Sequence, residues 1–308
     1  MSSVNHIRYV PQNEIDKSKW EACINKARNG LIYAYPQYLD CLSGHWDALV
    51  LNDYDAVMPL TWNKKYGFHY LYQPAFTASL GVFGNDLNEA LVADFIHAIP
   101  KKFRLIEIAL NHGNIFGVPA ALTTLRNNYT LSLNKDYETL YASYNENIRR
   151  NIKKAKQYGC TVKKNIPVAD VIELSKPLLR RQTNVTLADY DHFDRLFGFL
   201  RQQNKAITYG IYAGTNELIA SCVYFFSHHR AYYILVGNHP NGKTLGASHY
   251  LIDRFIYDHA GQNLLLDFEG SDMRNLAFFY SSFGAQLEVY PFLAINRLPF
   301  WMRWLKRS

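Results

Sequence analysis

Long apolar runs, paired cysteines and metal-ligand spacings are all missing from this chain of 308 residues. No uninterrupted apolar stretch approaches the ~20 residues a membrane-spanning helix needs, so no such helix is expected. The opening stretch MSSVNHIRYVPQNEIDK has no apolar core of signal-peptide type, and a cytoplasmic location is expected. Cys23, Cys41, Cys160 and Cys222 are scattered without C-x-x-C and read as reduced core thiols rather than a zinc site. The eleven histidines form neither H-x-x-x-H nor H-E-x-x-H, so His192, His228 and His229 read as surface or core residues and no metal is expected. G-x-S-x-G and G-x-x-x-x-G-K-[ST] are absent too, which sets aside elbow hydrolases and P-loop NTPases.

What is present describes a folded protein. Hydrophobic residues make up 48% and charged residues 19%, which argues against extensive disorder. The length implies one large or two moderate domains. Aromatic residues reach 15%, with tyrosine the most numerous, as suits aromatic strands or ring-lined pockets. The formal charge is +7, and seven bases with no acid lie between Arg149 and Lys164 (Arg149, Arg150, Lys153, Lys154, Lys156, Lys163, Lys164). One segment thus equals the whole excess, a local field suited to phosphates, carboxylates, nucleic acid or an anionic membrane surface.

The chain echoes itself. WDALVLNDYDAVMPLTW (46–62) and ITYGIYAGTNELIASCVYFF (207–226) both read as hairpins, with period-two alternation on either side of a turn cluster. Each continues into an aromatic strand, a glycine-bearing loop, a helix and a further strand. A duplicated mixed α/β module accounts for this rhythm, with domains expected at 1–135 and 136–308. The second domain opens with a basic helix over 145–159. Tyr141, Tyr144, Ile148, Ile152 and Ala155 give that segment a buried face, and Arg149, Lys153 and Lys156 fall opposite. Ser143 with Glu146 forms a capping-box signature, and Gly159 is a natural stop.

Taken together, IRRNIKKAKQYG, the repeated module, LLLDFEGS and FFYSSFGAQ resemble the FemABX-like acyltransferases of the GNAT superfamily. The resemblance implies two tandem GNAT-like domains and transfer of an acyl or aminoacyl group to an amine. Characterised members of that family move amino acids from aminoacyl-tRNA onto a peptidoglycan precursor, and related sequences use acyl-CoA. The long helical insertion common in the tRNA-using enzymes is absent here, which favours acyl-CoA and leaves aminoacyl-tRNA as the second donor. No tightly bound cofactor is implied. The acceptor would be a small-molecule or peptide amine, including a cell-envelope precursor, met in a cleft between the modules.

The resemblance places the R-x-N-I arginine on Arg149 or Arg150, near an anionic group, and Lys153 joins them on the same helix. An arginine fork suits phosphate or carboxylate, while lysine acts as a point charge. Asn241, Gly242, Lys243, Thr244 and Gly246 precede a helix, where free backbone N–H groups and the dipole favour a donor phosphate. Asp267 and Glu269 stand two positions apart at the end of an apolar strand, which puts both on one side if the strand continues. Either could take the proton of an attacking amine, Glu269 being preferred, unless Asp267 caps a helix or pairs with an arginine such as Arg274. At Tyr280 the family carries lysine; a tyrosine hydroxyl can still stabilise an oxyanion or protonate a leaving thiolate.

The closing LPFWMRWLKRS mixes Phe300, Trp301 and Trp304 with Arg303, Lys306 and Arg307. It is expected to pack onto the protein, with peripheral membrane contact as the alternative. The rival to an enzyme is a non-catalytic protein of the same fold that grips nucleic acid or an anionic surface through the basic helix.

Overall fold

The computed structural model describes residues 6–116, 118, 120–179, 185–270, 272–299 and 302. The chain divides into two units, Met1–Arg126 with Val289–Ser308, and Asn127–Glu288. In the first, strands β1 (Ile7–Val10), β2 (Trp46–Leu51), β3 (Ala56–Lys65), β4 (Phe68–Leu71), β5 (Phe83–Gly84) and β6 (Phe103–Ala109) accompany helices α1 (Lys17–Lys26), α2 (Pro36–Leu42) and α3 (Glu89–Ala98). Local signals start these helices: Asp16 caps α1, Pro36 opens α2, and Asn88 caps α3. The sheet order is β1-β2-β3-β4-β6, antiparallel as far as β4 and parallel between β4 and β6. Phe95, Ile96, Phe103 and Ile106 lie in its core.

The second unit begins in β7 (Thr123–Ser132) and continues through α4 (Tyr137–Ala142), α5 (Glu146–Gln157), β8 (Thr161–Lys164), α6 (Val168–Leu179), α7 (Leu187–Gln202), β9 (Ala206–Tyr212), β10 (Leu218–Ser227) and β11 (Arg230–Asn238). It ends with α8 (Pro240–Leu245), α9 (Ala247–His259), β12 (Leu265–Asp267) and α10 (Arg274–Ser281). Its order, β8-β9-β10-β11-β12, repeats the first unit: three antiparallel pairings, then a parallel one across a helical crossover.

The last strand of each sheet comes from elsewhere in the chain. Thr130–Ser132 of β7 pair antiparallel with β12, and Phe292–Asn296 of β13 (Gln286–Asn296) pair antiparallel with β6. This is why the units depart from the expected boundary at 135/136: residues 127–135 group with the second unit, and those after 288 group with the first. Phe300, Trp301, Arg303, Trp304, Lys306 and Arg307, expected to pack or meet a membrane, lie outside the described residues.

The expected alternation of buried and exposed positions fails in β10, which is buried from Ile219 to Phe225. Helices cover both of its faces. Tyr224 stacks on Phe255 of α9 at 3.7 Å, while Phe225, pointing the other way, stacks on Phe193 of α7 at 5.4 Å. Among the described residues, no helix is long and apolar enough to cross a membrane.

Candidate functional site

Strands β11 and β12 pair only where Arg230–Tyr232 meet Leu265–Asp267. β12 then stops, while β11 runs on to Asn238. Along that continuation lies a cavity of about 600 Å³, in the size range of small-molecule sites. Tyr233, Val236 and Asn238 of β11 line it, with Lys243 of α8, Ser248 and His249 of α9, and Arg274, Leu276, Phe279 and Tyr280 of α10; Leu178, Met273 and Asn275 complete the wall. A crevice beyond the carboxyl end of a parallel strand is a common ligand position in α/β sheets.

Of the residues expected to hold a donor phosphate, only Lys243 lines this cavity. Residues 240–245 form a helical turn rather than an open glycine loop, with Pro240 at its first position and the His239 ring nitrogen accepting from Asn241 N at 3.2 Å. Gly242 is glycine for packing: a Cβ there would stand 2.2 Å from the Ile219 carbonyl oxygen. Gly246 has φ +74°, and a Cβ would lie 2.6 Å from the Asn151 carbonyl of α5. Asn241 and Thr244 are exposed. The better anion position is the start of α9, which has no side-chain cap and whose Ser248 and His249 reach the cavity wall.

Asp267 has a structural role. It is 4% exposed, its Oδ2 lies 2.6 Å from Arg230 Nη1, and Asn128 Nδ2 donates to its Oδ1 at 2.9 Å. Arg230 in turn grips Glu288 with two bonds, at 2.9 and 3.0 Å. Burial alone would loosen the guanidinium proton, but Asp267 and Glu288 reverse this and raise its pKa. The arginine on Asp267 is thus Arg230, not Arg274.

The two carboxylates also fail to share a strand face, because the strand ends at Asp267. Glu269 takes the left-handed conformation at φ +62°, followed by Gly270 at +85°. The Glu269 N–H donates to Asp267 Oδ1 at 2.8 Å, so Asp267 anchors the turn that carries Glu269. Ser271 lies outside the described residues.

Tyr280 is buried, with its ring stacked on Phe268 at 4.5 Å. Burial, then the nearby negative charge of Glu269, raises its hydroxyl pKa, so it remains a neutral hydrogen-bond donor. His249 is a wall residue that sequence reasoning missed; the one signal for it was its place just after the Gly246 turn. Its ring meets Phe279 edge-on at 5.0 Å, and its buried Nδ1 has no hydrogen-bond partner among the described residues. Burial lowers its pKa to about 4, which keeps the imidazole neutral near pH 7.

The basic helix packs beside α8 and α9, but its cations are not on this wall. Ile148, Ile152 and Ala155 of α5 are buried, while Arg149, Arg150 and Lys153 are exposed and do not line the cavity. Arg150 Nη2 donates to Asn147 Oδ1 at 2.9 Å. The cap of α5 is Asn145, which accepts from Ile148 N; Ser143 turns back to the Leu140 carbonyl instead. Among the described residues no group of three His, Cys, Asp or Glu side chains could hold a metal ion.

Residues 142–274 match a family model described as Acetyltransferase (GNAT) domain. A search of curated proteins gives no match. Among solved structures, FemX is similar with a TM-score of 0.64 and 11% identity, covering 97% of this chain and 99% of that one. A conserved protein of unknown function from Bacteroides thetaiotaomicron gives 0.57 at 12% identity, over 92% and 99% of the two chains. L-PGS from Bacillus licheniformis gives 0.54 at 11% identity, over 97% of each. At these identities the likeness is one of fold. Residues 142–274 thus match a GNAT acetyltransferase domain model, and the chain as a whole has a fold similar to that of FemX.

Proposed function

We propose that this chain is an N-acyltransferase that takes an acyl-CoA donor in the cavity beside β11 and passes the acyl group to an amine. One observation carries the reading: a largely apolar wall is combined with two cations, Lys243 and Arg274, and with the uncapped start of α9. A thioester on an anionic phosphopantetheine carrier has the matching chemistry.

The amine nitrogen bonds to the acyl carbon, and the carbon–sulfur bond then breaks. Glu269, held beside Tyr280, accepts the proton shed by the attacking nitrogen. The departing thiolate takes up a proton from Glu269 or solvent. Tyr280 donates a hydrogen bond to the oxyanion; its raised pKa makes it a poor source of a proton for sulfur. Positioning and aligned donors supply the acceleration without a covalent enzyme intermediate.

Calorimetric titration with CoA and acetyl-CoA tests this reading. Binding in the micromolar range that weakens in Lys243→Ala and Arg274→Ala is the expected result. Absence of binding to any CoA species would overturn the donor assignment and point to aminoacyl-tRNA, tested next by a shift assay with charged tRNA.

A second reading rests on the exposed cations of α5. Arg149, Arg150 and Lys153 face away from the protein core, as a surface for nucleic acid or anionic lipid would. Polyanion binding that falls steeply with salt and is lost with these three residues, without any CoA binding, would favour it.

A further inference from the structure

We infer that the acyl group admitted to this cavity is an uncharged apolar chain, and that the lining itself disfavours an aminoacyl group. The inference rests on the acyl-CoA reading and specifies the substrate class of the same site.

The wall decides by its chemistry. Tyr233, Val236, Leu276 and Phe279 present rings and aliphatic groups, and no carboxylate lines the cavity among the described residues. The charged groups on it, Lys243 and Arg274, are both cations. An α-ammonium carried on the acyl group into this lining would be desolvated among apolar groups, with no carboxylate on the wall itself to pair it.

The polar groups of the wall do not compensate. The Ser248 hydroxyl donates to Asn238 Oδ1, and neither group carries a charge that would balance an ammonium. His249 is neutral, because burial depresses its pKa, and its unpartnered Nδ1 is one buried site rather than an ammonium cage. Glu269 acts electrostatically on Tyr280 but is not part of the wall. An alkyl chain asks for no polar partner and gains from every apolar contact. Met273 lines the cavity and is also 47% exposed, so apolar surface continues outward for a chain that outgrows the interior.

The test uses thioether analogues that cannot react: S-ethyl-CoA, S-octyl-CoA and S-(2-aminoethyl)-CoA, with free CoA as reference, titrated calorimetrically into the full chain. S-octyl-CoA is expected to bind at least about tenfold tighter than S-ethyl-CoA. S-(2-aminoethyl)-CoA is expected to bind about tenfold more weakly than S-ethyl-CoA. Equal affinity for the octyl and ethyl forms, or an aminoethyl form as tight as the ethyl form, overturns the inference while leaving the CoA site standing. Failure of free CoA and all analogues to bind removes the donor reading and this inference with it. Asn238→Asp places a carboxylate on the wall with little change in size, and should raise the aminoethyl-to-ethyl affinity ratio about tenfold. An unchanged ratio in a folded variant would refute the electrostatic basis, and the wild-type panel decides the question even if that variant does not fold.

Discussion

Arg230 on β11 and Asp267 on β12 hold opposite charges 2.6 Å apart, with residue exposures of 7% and 4%. They join the two parallel strands where pairing survives, just before the cavity opens. Asp267→Ala leaves the buried Arg230 with Glu288 as its remaining carboxylate, so it should cost about 1–3 kcal/mol of stability. It should also lower turnover, because Glu269 loses the anchor for its backbone N–H. Urea unfolding and an acyl-transfer assay check the two effects separately. Unchanged stability would show that Glu288 alone satisfies Arg230.

Tyr280→Phe deletes one hydroxyl and keeps the ring that stacks on Phe268. Turnover should fall about a hundredfold if that hydroxyl meets the oxyanion, with CoA affinity nearly unchanged. Glu269→Gln should behave in the same way if Glu269 is the base. A fall in affinity with turnover intact would assign both residues to binding rather than chemistry.

The glycines around α8 invite a direct comparison. Gly242→Ala should destabilise strongly, because its Cβ would meet the Ile219 carbonyl, and that carbonyl belongs to a central strand. Gly246→Ala combines a left-handed φ with a clash against Asn151 and should cost at least about 1 kcal/mol. Thr244→Ala, exposed and away from the cavity, should stay within about 0.5 kcal/mol of wild type. Denaturation midpoints separate these cases. Loss of CoA binding in Gly242 variants would report unfolding before it reported phosphate contact.

The buried imidazole of His249 imposes a pH dependence. Its pKa is about 4 in the folded chain and near 6.5 in the unfolded one, so between these values the unfolded state binds more protons. Stability should therefore decline as pH falls from about 6.5 towards 4, by up to about 3 kcal/mol from this group. His249→Phe should flatten that part of the profile. Urea titrations near pH 7 and near pH 5 provide the check, and an identical slope in the variant would move the effect elsewhere.

Local chemistry was legible in the sequence. The two hairpins, the amphipathic α5 and the Gly159 stop at φ +71° rest on spacing and turn residues within a few positions. The cap of α5 was misplaced by two residues, since Ser143 and Asn145 are both good capping residues and only the fold chooses between them. The strand exchange was not legible: that β7 closes on β12 and β13 on β6 depends on pairings more than a hundred residues apart. For the same reason Asp267 looked like a base, because its partners Asn128 and Arg230 are far away in sequence. Tyr280 and Lys243 were singled out from motifs, and the fold brings them to one wall. His249 gains its unusual environment only when α10 lays Phe279 against it.

The placement of β7 has a practical consequence for anyone who would express part of this protein. The family match runs from 142 to 274, yet a recombinant fragment cut at those ends would lose the strand that covers β12 and nearly all of α10. Leu266 and Phe268, at 0% and 2% exposure, would face solvent, and Arg230 would be left without Glu288. Such a fragment is a candidate for aggregation and proteolysis rather than assay. A fragment spanning 127–288 keeps Thr130–Ser132 beside β12 and the cluster of Asn128, Arg230, Asp267 and Glu288 together.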